Sequence, residues 1–168
     1  GGALKWLRET MCPALSFEEM SDLAATVPPG SDGVVFLPYM AGERSPIWDP
    51  SACGVFFGMR YGTTLAHLIR ACMEGVAYSL RHNLETAEKA GARAGCLRAM
   101  GGSANSRVWT QIKADVTGCN IEVPGSDTAT TLGAAILAGV GTGVYATCQE
   151  AAERTVSVRR RHTPDGSR

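Results

Sequence analysis

The chain reads as an α/β layer structure, and three observations predict it. Strand-like and helix-like stretches alternate through the second half, where a short apolar lead-in at Leu97 breaks on Gly101 and Gly102 and then becomes amphipathic. A long helical pattern over 63–89 follows two compact β-favouring runs. Finally, 168 residues with 45% hydrophobic content are enough for one globular core.

Composition excludes several function classes. Sixteen basic and sixteen acidic side chains give a formal net charge of zero, so neither a nucleic-acid partner nor a membrane surface is expected. No apolar run reaches the roughly 20 residues of a membrane span, and no secretory leader pattern stands at the start. The six cysteines (Cys12, Cys53, Cys72, Cys96, Cys119 and Cys148) form neither a CxxC pair nor a zinc-spaced cluster. They are expected to be reduced and partly buried in a cytoplasmic protein, and no metal site made by cysteines is expected. Because the first residue is Gly1 and the last ten are RRRHTPDGSR, the chain is expected to be a piece of a longer protein. The expected organisation is one domain over 1–158 and a disordered basic tail over 159–168.

Two glycines followed by Leu4, Trp6 and Leu7, with Lys5 and Arg8 interleaved, suit a short helix over 1–10. Ser16 and Glu19 are spaced as a capping box for a helix over 16–26, whose face carries Phe17, Met20, Leu23 and Ala24 and which stops at Pro28, Pro29 and Gly30. Val34 to Leu37 is predicted to be a buried strand running into the loop PYMAGERSPIWDPSACG, where Arg44 could brace the turn by pairing with Glu43 or Asp49. A second strand is predicted over 53–57. The helix over 63–89 takes Thr63 or Thr64 as its cap and ends at Gly91. Within it, His67 reads as a cap or surface residue and Glu74 as an anchor for neighbouring backbone, neither as a catalytic group. After the glycine turn come a strand over 120–123, a small-residue helix from Asp127 in which Gly133, Ala134, Ala135 and Ala138 allow close packing behind the turn, a short helix over 149–154 and a β-like run over 155–158.

The stretch with most chemistry is LRAMGGSANSRVWTQIKAD, over 97–115. It predicts strand, glycine turn and helix, with Val108, Trp109, Ile112 and Val116 on one helical face and Ser106 or Asn105 as the cap. Two glycines let backbone approach a ligand, and the helix start offers N–H groups to a phosphate. The same pair would equally serve a tight strand-to-helix connection. The turn is neither a GxGxxG fingerprint nor a P-loop.

This stretch resembles the adenosine-binding motif GG(S/A)xxSxxWxQxxAD in the C-terminal domain of the FGGY family of carbohydrate kinases. Other segments are similar to the family in the same order: the opening GGxxxW, GVFFGMRYGTTLAHLIRACMEG and GAAILA. The loop over 38–54 resembles PYxxGERTPxxDPxARG of the xylulokinase branch. The resemblance implies an actin-like, ribonuclease-H-like ATPase domain lacking its first strands, with ATP and Mg²⁺ as cofactors. It implies nucleotide contacts from Gly1 or Gly2, from Ser45 near the adenine, and from Gly101, Gly102, Ser103, Asn105 and Ser106.

Its implied reaction is transfer of the γ-phosphoryl of ATP to a sugar hydroxyl, D-xylulose to xylulose 5-phosphate. Gluconate, ribulose or glycerol as acceptor, or a non-catalytic actin-like interaction module, are the alternatives. The sugar and the catalytic aspartate belong to an N-terminal domain absent from these residues, since none of Asp22, Asp32, Asp49, Asp115 or Asp127 stands in a matching motif. The isolated chain is thus expected to bind ATP weakly or not at all and to lack turnover. Unpaired sheet edges predict a homo-oligomer or a poorly soluble chain.

Overall fold

A computed structural model describes residues 1–125 and 128–166. It contains α1 (Gly2–Met11), α2 (Phe17–Ala25), β1 (Val35–Pro38), β2 (Gly54–Phe57), α3 (Leu65–Lys89), β3 (Cys96–Arg98), α4 (Arg107–Thr117), β4 (Asn120–Pro124), α5 (Ala129–Gly141), α6 (Cys148–Thr155) and β5 (Val158–His162). The predicted alternation is therefore present. Its strands, however, form two small sheets: an antiparallel β1–β2 hairpin, and a β3–β4–β5 sheet in which β3 and β4 run parallel and β5 antiparallel to β4. The predicted start of the small-residue helix at Asp127 lies outside the described residues.

One apolar core joins the first four helices to the hairpin. Leu4 and Leu7 of α1, Met20 and Ala24 of α2, Ile69, Cys72, Met73 and Ala77 of α3, and Trp109 and Ile112 of α4 pack with Val34 and Phe36. The helix starts follow local chemistry. Ser16 and Glu19 close the capping box, each side chain accepting from the other residue's backbone N–H. Thr64 caps α3 with His67, whose Nδ1 accepts from the Thr64 N–H at 3.1 Å while Nε2 meets Asp32 at 3.0 Å. His67 is thus a capping residue. Glu74 anchors backbone as its position suggested: its carboxylate accepts from Gly30 N–H at 3.0 Å and from Arg70 Nε at 2.6 Å.

Four expectations are corrected. The β1 strand is half-buried, because α3 covers only one face of a two-stranded sheet: Phe36 is 2% exposed, whereas Val35, Leu37, Val55 and Phe57 share an open face. The small-residue helix α5 buries none of its described side chains and packs on α6 rather than behind the glycine turn. Of the six free cysteines, Cys12, Cys72 and Cys119 are buried, burial pushing the Cys72 thiol up to about 12, while Cys53, Cys96 and Cys148 are exposed. The tail expected to be disordered from 159 onward supplies β5 instead, since Arg161 pairs with Glu122 across the sheet and His162 is buried on α4. Among the described residues, no helix is long and apolar enough to cross a membrane.

The β5 attachment has a pH consequence. Arg160 Nε–H donates to His162 Nε2 at 2.7 Å, so that nitrogen carries no proton, and Nδ1–H donates to Gln111 Oε1 at 2.9 Å. Burial, then the charges of Arg160 and Arg107, hold the imidazole below its ordinary value of 6.5 against the opposing pull of Asp115. The unfolded chain therefore takes up this proton first as pH falls. Stability from this site is complete above pH 6.5 and declines as pH drops through the lowered folded value. Thermal melts from pH 8 down to 5 are expected to show this decline, and a flatter profile for His162→Gln.

Candidate functional site

Three segments distant in sequence meet at an open cleft of about 610 Å³. Gly1, Gly2, Leu4 and Lys5 come from the start of α1, and Phe17, Glu18, Ser21 and Asp22 from α2. Gly102, Ser103 and 105–109 come from the glycine turn and the start of α4.

Each wall has a local cause. Gly101 has φ +78° and ψ −177°, a backbone region that is essentially restricted to glycine. It turns the chain out of β3 into a single 3₁₀ turn over Gly102–Ala104. Ser106 then caps α4 by accepting the Trp109 N–H at 3.1 Å, which decides between it and Asn105. The Ser106 hydroxyl also lies 2.9 Å from that of Ser21, tying α4 to α2 across the cleft floor. Trp109 is fixed at depth by its indole N–H, which donates to Met73 O at 2.9 Å, and a Cβ on Gly1 would stand 3.3 Å from the Trp109 ring.

The tail holds the turn from outside. Arg160 donates to Ala104 O, and Arg159 Nη2 donates to Asn105 Oδ1 at 3.4 Å. Beneath the turn, Lys113 Nζ donates to Ser103 Oγ at 3.0 Å and sits 4.5 Å from the Trp109 ring centre. Burial lowers the pKa of this amine from its ordinary value.

Most of the residues singled out from sequence therefore share one space: Gly1, Gly2, Gly102, Ser103, Asn105 and Ser106 all line it, and Gly101 makes the bend that places them. Ser45 does not. The Glu43 carboxylate accepts from the N–H groups of Arg44 and Ser45 at 2.7 and 2.9 Å, bracing the loop through backbone rather than through an Arg44 ion pair. Ser45 is then clamped to α3, donating from Oγ to Asn83 Oδ1 at 2.6 Å and accepting from Asn83 Nδ2 at 3.0 Å. Sequence reasoning missed the α2 wall and Lys113. A capping box locates a helix without saying what it faces, and a lysine four residues after a tryptophan on one helix face is an ordinary surface pattern.

The arrangement suits a flat, partly apolar ligand with an anionic end. Trp109, Phe17 and Leu4 give apolar wall, while glycine backbone and the Ser103, Asn105 and Ser106 side chains give polar contacts. Among the described residues, no group of three or more His, Cys, Asp or Glu side chains could hold a metal ion.

The model of the FGGY family of carbohydrate kinases, C-terminal domain, matches residues 1–142. A xylulose kinase of Staphylococcus epidermidis is 37% identical over 158 residues, covering 94% of this chain and 32% of that protein. Among solved structures, a ligand-bound xylulose kinase from Lactobacillus acidophilus matches with a TM-score of 0.90 at 28% identity, covering 99% of this chain and 34% of that one. A glycerol kinase of Plasmodium falciparum, solved with ADP, matches with a TM-score of 0.85 at 25% identity, covering 98% and 33%. The chain thus spans about a third of the length of the relatives it matches. With its sequence and its α/β architecture both matched nearly end to end, the chain belongs to the FGGY family of carbohydrate kinases, as the actin-like C-terminal domain.

Proposed function

We propose that this chain is the ATP-binding lobe of a sugar kinase that transfers the γ-phosphoryl of ATP to a sugar hydroxyl. The observation that carries it is the meeting of Gly1 and Gly2 with Gly102, Ser103, Asn105 and Ser106 around one cleft. The residues present fit a nucleotide: the glycine backbone allows close approach, Phe17 gives an exposed apolar edge, and the hydroxyl and amide groups offer donors. Mg²⁺ would in this reading be carried by the nucleotide and would supply neutralisation of phosphate charge, since no carboxylate or histidine cluster among the described residues would hold it. The chain's own contribution is to bind and orient the nucleotide, since phosphoryl transfer is accelerated chiefly by positioning and charge stabilisation.

The base that receives the hydroxyl proton is assigned to residues outside 1–168. Within the chain, Asp49 is engaged by Ser51, Asp115 by Gln111 and the Asp165 N–H, and Asp32 by His67, while Asp22 lies in the α2 wall of the cleft and stands in no matching motif. D-xylulose is the favoured acceptor, on the GERSP loop and the xylulose kinases among the relatives. The glycerol kinase match keeps glycerol as the second.

Gly102 supplies the test. A Cβ there meets no protein atom within 4 Å, and the residue lines the cleft. Gly102→Val is therefore expected to leave the melting temperature within a few degrees while weakening ADP at least about tenfold. ADP titration followed by amide chemical shifts, up to about 10 mM, measures this. ADP-induced shifts in the unaltered chain that do not map to the turn, or unchanged affinity in Gly102→Val, overturn the proposal.

A further inference from the structure

Lys113 lies behind the glycine turn of the cleft, and neither the fold nor the family motif explains it. It is a buried amine, 9% exposed, on the inner side of α4. Buried lysines are ordinarily paired, because taking an ammonium from water without a counter-charge is unfavourable. Among the described residues no carboxylate forms an ion pair with this one. Its contacts are the Ser103 hydroxyl and the face of Trp109, which together only partly replace water.

The direction of the Ser103 bond matters. An ammonium only donates, so the serine oxygen accepts from Lys113 and its own O–H is left to donate. Ser103 is a cleft residue, so its O–H is available to an acceptor that enters the cleft. A donor polarised by a cation behind it favours an anionic oxygen over a neutral one. The positive charge on Lys113 is likewise best answered by negative charge arriving at the glycine turn.

Resting on the nucleotide reading above, we propose that Lys113 is a positioning residue for the phosphate end of the ligand. It fixes the Ser103 hydroxyl as a donor into the cleft and supplies, from beneath the turn, the charge that a nucleoside diphosphate neutralises. The nucleoside part is held by other walls and is indifferent to it.

The test compares ADP with adenosine on the whole 168-residue chain. Both are titrated by amide chemical shifts against the unaltered chain, Lys113→Met, Ser103→Ala and the double substitution. Methionine keeps the unbranched stem over Trp109 and removes only the charge. Lys113→Met is expected to weaken ADP about tenfold and to leave adenosine within about twofold. Ser103→Ala should weaken ADP in the same sense, and the double substitution should be no weaker than Lys113→Met alone, because one bond is removed either way.

Equal loss for ADP and adenosine would reduce Lys113 to packing and overturn the inference, as would additive losses in the double. If Lys113→Met does not fold, Ser103→Ala reads the same bond from the exposed side, and its ADP-to-adenosine ratio decides. Should the shifts from both ligands fall away from the turn, the nucleotide reading itself falls and this inference with it; adenosine bound without preference for ADP sinks the inference alone.

Discussion

Gly75→Ala is expected to cost about 3 kcal/mol or more of folding stability, a drop of about 6–12 °C in melting temperature for a chain of this size. Helix α3 crosses β1 so closely that a Cβ on Gly75 would lie 2.1 Å from the carbonyl oxygen of Phe36 and 3.0 Å from its carbonyl carbon. Both are backbone atoms, so no side-chain rotation relieves the clash and the strand itself must move away. Phe36 is among the largest fully buried side chains, and its ring packs on Phe56 at 4.4 Å, so a displaced β1 takes the core contact with it. The neighbouring Met73 carbonyl accepts the Trp109 indole N–H, and the same shift should therefore loosen the cleft wall. Urea denaturation with a midpoint close to that of the unaltered chain would show that the helix and strand can separate at little cost.

Glu74→Leu is expected to be about as damaging, at about 3–5 kcal/mol, through a different mechanism. The pair with Arg70 is buried on both sides, with side chains 8% and 4% exposed, and Glu74 also accepts the Gly30 N–H. Removing the carboxylate strands a guanidinium, whose other bond is a long 3.4 Å contact to Val27 O, and leaves a backbone donor unmet. Adding Arg70→Met should recover much of the loss, because the cost lies mainly in the uncompensated charge. A double substitution no more stable than Glu74→Leu would locate the cost in the Gly30 bond instead. Because Gly75 adjoins this pair, its effect is not expected to add independently to that of Glu74.

Local chemistry in the sequence placed nearly every element. The Ser16–Glu19 box, the apolar face of α3 and the run from Gly101 through Ser106 into Trp109 each signal a structure that depends on neighbours a few residues away. What failed depended on distant partners. Nothing near Ser45 in sequence announces Asn83, and nothing in Arg159 to Arg161 announces Ala104, Asn105 and Glu122, so an anchored strand read as a loose tail. The strand at Val35 to Pro38 read as buried because apolar residues on both faces look alike whether or not a second layer covers them. Two of the three cleft walls were legible, the start of α1 and the glycine turn, whereas Phe17, Ser21 and Asp22 enter through the docking of α2 on α4.

Helix α5 carries one more implication. Thirteen residues, apolar but with no described side chain buried, have little beyond their own backbone bonds and α6 to hold them helical. Isolated helices of that length are marginal in water. The α5–α6 arm is consequently expected to open more readily than the body around α3, its amides exchanging with solvent first in a native-state hydrogen-exchange measurement.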